Sequence, residues 1–255
     1  MSISSKLNVY RVTTFTEIYE TLICLNEMDN EKKNINNNVT ETKNNNTNNI
    51  YKKTLMVIDY DDTIVMLDNL IFDYINKYYT DAKNNLDTTS DKYQMELDNV
   101  ITDCTNMAKR SIKKLKDKNV AKIISKINDL SIKTMILTAR NLLLKQDTVD
   151  TLIQHKISLN AHHNINKKYD IDIISKTYES YGLKPSYTTE CLVTDNILFT
   201  SAHSKGIALD IFFTDNNLYD TYDTIIVVDD NSRSLADIDV IFSKKKMNMI
   251  YFLMG

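Results

Sequence analysis

Asp59-Tyr60-Asp61-Asp62-Thr63 directly follows the apolar run Leu55-Met56-Val57-Ile58. A short apolar run of this kind reads as a buried strand. Two carboxylates two residues apart at its end would share one side of the extended chain if strand geometry persisted, and there they repel. A divalent cation or a shared proton would offset that repulsion. A solvated acidic turn is the alternative, and these five residues alone leave both open. Three further apolar runs are each followed by residues of complementary chemistry. Thr134-Met135-Ile136-Leu137 leads to Thr138, Ala139 and Arg140; Asn196-Ile197-Leu198-Phe199 leads to Lys205; Ile225-Ile226-Val227-Val228 leads to Asp229-Asp230. Acidic pairs after two strands make an oxygen-rich site suited to Mg²⁺. A lysine and a hydroxyl beside it suit a phosphoryl group.

These residues meet only if the four strands are parallel neighbours, and the intervening segments favour that. Apolar residues at helical spacing predict helices over Phe15–Leu25, Val120–Leu130, Gln146–Lys156, Ser204–Phe213 and Ser232–Phe242, with a last strand at Met249–Leu253. Thr14 is the expected N-cap of the first helix, with Glu17 three residues on. Alternating strands and helices imply a parallel sheet with right-handed crossovers, whose ligands bind at the carboxyl ends of the strands. Between Thr63 and Val120, two apolar stripes (Leu67 to Tyr79 and Leu97 to Leu115) joined by the polar link Asn84–Asp91 predict a helical hairpin. Residues 29–50 are mostly Asn, Lys, Thr and Glu, and are expected to be a disordered insert. Asn160–Glu190 is polar and poorly periodic.

Composition excludes other classes. The net charge of −3 argues against a general nucleic-acid or membrane-surface binder. No apolar run reaches bilayer length. The three cysteines, Cys24, Cys104 and Cys191, have no metal-site spacing and point to a reducing, cytoplasmic compartment, of a host cell if the protein is viral. There is no Gly-rich phosphate loop and no Gly-x-Ser-x-Gly elbow. His162-His163 lacks a matching third ligand. The basic run from Lys109 to Lys118 reads as a solvated helix face.

An Asp-x-Asp-x-Thr at a strand end, then a Thr, then a Lys, then an acidic pair resembles the haloacid dehalogenase (HAD) superfamily on its phosphatase side. The resemblance covers Thr54 to Leu253. More finely, Ile136-Leu137-Thr138-Ala139-Arg140, Thr148, Phe199-Thr200 ahead of His203-Ser204-Lys205-Gly206, and Val227-Val228-Asp229-Asp230 resemble the branch known as domain of unknown function 2608. A response-regulator receiver uses similar groups, but there the lysine comes last.

The resemblance implies an α/β fold, a HAD-type Rossmann-like parallel sheet flanked by helices with a helical cap insertion. The core would be residues 51–65 and 116–255 and the cap 66–115, with an N-terminal helical segment at 1–28. It implies a Mg²⁺-dependent phosphatase acting on a small phosphorylated substrate. Asp59 would be the nucleophile and Asp61 the general acid and base. Thr138 would donate to a phosphoryl oxygen, and Lys205 would offset phosphoryl charge. Thr63 and Arg140 are the expected substrate-binding residues. Asp59, Asp61 (through its carbonyl), Asp229 and Asp230 would hold Mg²⁺. A phosphotransferase using the same aspartyl-phosphate, or a silent binding protein that keeps the fold, would share this pattern. Taken singly, Thr138 reads as an N-cap, Lys205 as a solvated lysine, Asp230 as an N-cap or ligand, Asp62 as a turn residue and His203 as a loop histidine.

Overall fold

A computed structural model describes residues 9–36, 51–66, 71, 73–74, 77, 91–161, 165–185, 189–245 and 247–255. In chain order its elements are β1 (Val9–Val12), α1 (Phe15–Asn36), β2 (Thr54–Ile58), β3 (Val65–Met66), α2 (Asp91–Arg110), β4 (Lys114–Leu115), α3 (Val120–Asp129), β5 (Lys133–Thr138), α4 (Lys145–Gln154), β6 (Lys167–Tyr169), α5 (Ile171–Ser180), β7 (Cys191–Thr194), β8 (Ile197–Phe199), α6 (Lys205–Asp215), β9 (Thr224–Asp229), α7 (Ser232–Phe242) and β10 (Asn248–Met254).

All five residues of β2 are buried, as a strand covered by helices on both faces requires. Alternate residues supply opposite cores. Met56 and Ile58 join Phe15, Ile18 and Leu22 of α1 and Ile123, Ile124 and Ile127 of α3. Leu55 and Val57 join Ile207 and Phe212 of α6 and Leu235 and Ile238 of α7. The sheet order is β1-β10-β9-β2-β5-β8-β7-β6. From β1 to β8 all pairings are parallel, while β7 and β6 pair antiparallel. The fold is α/β and Rossmann-like, as expected, and β9, β2, β5 and β8 are adjacent and parallel. Their carboxyl ends therefore lie side by side.

Three features depart from the expectation. The N-terminal segment is not a helix alone, because Val9–Val12 extends the sheet as an edge strand beside β10. Its α1 has the expected cap: Thr14 Oγ1 accepts from Glu17 N–H at 3.2 Å. Helix α1 also continues to Asn36, past the predicted start of the Asn-rich insert at residue 29, because Glu and Lys propagate a helix once it is nucleated; residues 37–50 lie outside the described ones. The polar stretch before Glu190 contributes β6 and α5 instead of irregular chain. Its neighbour β7 turns tightly into β8 through Asp195 and Asn196 at φ 51° and 63°, the left-handed pair of a two-residue hairpin.

Strands β3 and β4 pair antiparallel, Val65 with Leu115 and Met66 with Lys114, and so bracket the predicted cap insertion. Its second helix is α2. Most of its first helix and the link up to residue 90 lie outside the described residues, as do His162 and His163. Helix α2 stops at Arg110, so the basic run beyond it is not one helix face. No helix among the described residues is long and apolar enough to cross a membrane.

Candidate active site

Parallel pairing sets the site. Ile58 is in register with Val228, and Asp59 N–H donates to Val228 O at 2.8 Å. The next residues out, Asp59 and Asp229, therefore stand beside each other at the strand ends. Beyond Asp59 the chain turns: Asp62, at φ 56°, donates its N–H to Val65 O, and Ile64 and Val65 both donate to Tyr60 O. Asp62 is thus a turn residue, as expected.

Lys205 opens α6 and reaches across to both strand ends. Its Nζ lies 2.6 Å from Asp59 Oδ1 and 2.6 Å from Asp229 Oδ2. All three side chains are buried, so Lys205 is not a solvated lysine. The helix start is fixed by Asp237 of α7. Its carboxylate accepts from Ser204 Oγ and, at 2.9 Å, from Gly206 N–H. Gly206 permits this approach, since a Cβ there would meet Asp237 O at 2.6 Å.

Carboxylate oxygens of Asp59, Asp229 and Asp230 lie within 4.8 Å of one another. Three carboxylates against one ammonium leave the cluster short of positive charge. Burial pushes the Asp59 carboxyl up to about 8; Lys205 opposes this, and Asp229 and Asp61 add to it. Asp230 is raised too, by burial and then by Asp229 and Asp62. Burial alone would lower Lys205, but Asp59 and Asp229 outweigh it and hold the ammonium firmly protonated. Hard oxygen donors with uncompensated negative charge are the ligand chemistry of a divalent cation such as Mg²⁺.

Two expected substrate residues do other work. Thr63 is fully buried. Its Oγ1 lies 3.4 Å from Asp59 Oδ2 and accepts from Asp230 N–H at 3.1 Å, so it ties the two acidic loops together. Arg140 too is engaged by protein groups. Its Nε and Nη2 bind both oxygens of Asp61, at 2.9 and 2.8 Å, and its Nη1 binds Asp147 and Thr148 at 2.9 and 3.1 Å. A buried guanidinium must be paired to offset its desolvation, and nearby carboxylates provide that here. The Asp61 side chain therefore stands outside the three-carboxylate group, which leaves only its main-chain carbonyl for the metal role. Thr138, fully buried at the end of β5, accepts from Arg140 N–H at 3.2 Å. It does not cap the next helical turn, Leu142–Leu144, which Asn141 caps.

A model of the family described as Protein of unknown function (DUF2608) matches residues 5–254. The chain belongs to this family. No curated protein and no solved structure matches it. The matched span of this DUF2608 chain takes in every strand among the described residues, including the N-terminal edge strand, and every residue of the strand-end cluster.

Asp147 and Asp237 escaped the sequence reading. Each is an unremarkable acidic residue on a helix with no local signature, and only the packing of that helix gives it a partner. His203, buried in its loop, has Nε2 2.7 Å from Thr189 O, a structural contact. A cavity of about 540 Å³ lies between Ile101 and Thr102 of α2 and Asn141, Asp170, Glu190 and Ser201 of the core; none of the strand-end aspartates, Thr138 or Lys205 lines it, and neither does any lysine or arginine among the described residues.

Proposed function

We propose that this DUF2608 protein is a Mg²⁺-dependent phosphatase of the HAD type, hydrolysing a small phosphomonoester through an aspartyl-phosphate. The observation that carries this reading is the convergence of Asp59, Asp229 and Lys205, with Asp61 and Thr138 beside them, at the carboxyl ends of adjacent parallel strands. Asp59 is oriented by Lys205 and Thr63 as an oxygen nucleophile. Its carboxylate attacks phosphorus, and the bond from phosphorus to the alcohol oxygen breaks. Asp61 gives its proton to that oxygen. It then takes one from water, whose oxygen attacks the same phosphorus and releases Asp59 and inorganic phosphate.

Asp59, Asp229 and Asp230 would hold Mg²⁺, which supplies the positive charge that keeps Asp59 ionised and offsets the charge of the phosphoryl group. Lys205 adds a fixed cation at the same place, and the Thr138 hydroxyl, which accepts from Arg140 N–H, would give its own proton to a phosphoryl oxygen. The insertion that β3 and β4 bracket, which leaves the core just after the Asp59 loop, supports a small substrate.

The test is release of phosphate from a generic aryl phosphate with and without Mg²⁺, for the parent and for Asp59→Asn. Metal-dependent release that vanishes in the variant supports the reading. Release that persists in a folded Asp59→Asn protein overturns it.

A further inference from the structure

Arg140 is 7% exposed, and its guanidinium is held on several sides. Both Asp61 oxygens, Asp147 and Thr148 occupy its nitrogens, and its Cζ lies 4.3 Å from the centre of the Tyr60 ring. Asp61 is more open, with a side chain 28% exposed, and it sits on a turn. Without a partner its carboxylate would sample several rotamers in water. A planar fork on both oxygens removes that freedom in a way a lysine could not. The fork is itself anchored: Thr148 Oγ1 donates to Leu144 O at 2.8 Å, and Asp147 is also met by Lys113 at 3.4 Å. Lys113 lies in the segment between α2 and β4, where the cap insertion returns to the core.

We propose that Arg140 is a positioning residue for Asp61, and that Asp147, Thr148 and Lys113 tie this positioning to the base of the cap. The proposal rests on the phosphatase reading, with Asp61 as the proton-transfer group. The fork holds the Asp61 carboxyl in one orientation, so the proton-transfer group does not have to be ordered during the reaction.

A group acting through the acid matters most when the alcohol is a poor leaving group. The experiment compares kcat/KM for an alkyl phosphate and for nitrophenyl phosphate, with Mg²⁺, in the parent, Arg140→Lys and Thr148→Val. Thermal unfolding confirms that each variant is folded. Arg140→Lys keeps the charge and loses the fork. We expect it to lose about 10- to 100-fold on the alkyl ester and only a few-fold on the nitrophenyl ester. Thr148→Val, which removes one anchor, should show the same selectivity to a smaller degree. Equal losses on both esters, or none, overturn the proposal while Asp59-dependent turnover in the parent leaves the phosphatase reading standing. A parent that hydrolyses neither ester overturns both.

Discussion

Two clusters at the strand ends are each built from aspartates and a basic side chain, and they differ in what they leave unsatisfied. Around Lys205, three carboxylates meet one ammonium, and the Asp59 carboxyl is pushed up to about 8. Around Arg140, Asp61 and Asp147 are matched by a guanidinium and by Lys113. The first cluster lacks positive charge; the second is balanced. A lysine is a point charge that can share its carboxylates with a second cation, whereas an arginine fork pins the carboxylate it binds in one orientation. The residue types are nearly the same, and the count and geometry of charge separate a charge-poor cluster from a clamp.

The largest effect should come from the charge-poor cluster. Asp59→Asn is expected to abolish turnover while the protein stays folded, which circular dichroism and phosphate release check together. Asp61→Asn, on the balanced side, should slow turnover by about 10²- to 10⁴-fold. A loss of only a few-fold would mean that another group moves the proton.

Removing the cation of the first cluster sharpens the contrast. Lys205→Met leaves buried carboxylates facing each other, and should cost about 3–5 kcal/mol in denaturant unfolding without metal. Millimolar Mg²⁺ should recover part of that loss. No recovery would argue against a cation site there.

Gly206→Ala should destabilise by about 1–3 kcal/mol, because its Cβ meets the Asp237 main chain at 2.6 Å; an unchanged unfolding midpoint would contradict that packing.

Asp59 also makes stability depend on pH. The folded Asp59 carboxyl is raised from 3.8 to about 8, so the folded state holds this proton more tightly than the unfolded chain does. That contribution is complete below about pH 4 and is lost as pH rises through about 8. Without divalent cations, the parent's unfolding midpoint should fall more between about pH 5 and pH 8 than that of Asp59→Asn. Parallel curves would mean that Asp59 is ionised throughout.

Much of this was legible because it is local. The apolar runs ending at Ile58, Leu137, Phe199 and Val228 need two covered faces, so they had to be buried strands, and the residues that follow had to sit at their ends. The edge strand Val9–Val12 was not legible: four residues of mixed character acquire a ladder only because β10 is there. The hairpin into β8 had a readable signal in Asp195-Asn196, a pair that tolerates positive φ.

The sequence by itself determined which side chains lie at the strand ends and in what order. Their partners were decided by the tertiary structure, because a charged group's role depends on what surrounds it. Arg140 follows Thr138 in any conformation, but only the approach of the Asp61 turn and of α4 turned it from a candidate phosphate ligand into a clamp. Thr63 likewise became a tie between acidic loops when β9 came alongside β2. Sequence separation says little about such contacts, since hydrogen bonds and desolvation act over a few ångströms of space, and only the packed sheet brings residue 205 within that reach of 59 and 229, and residue 140 within reach of 61.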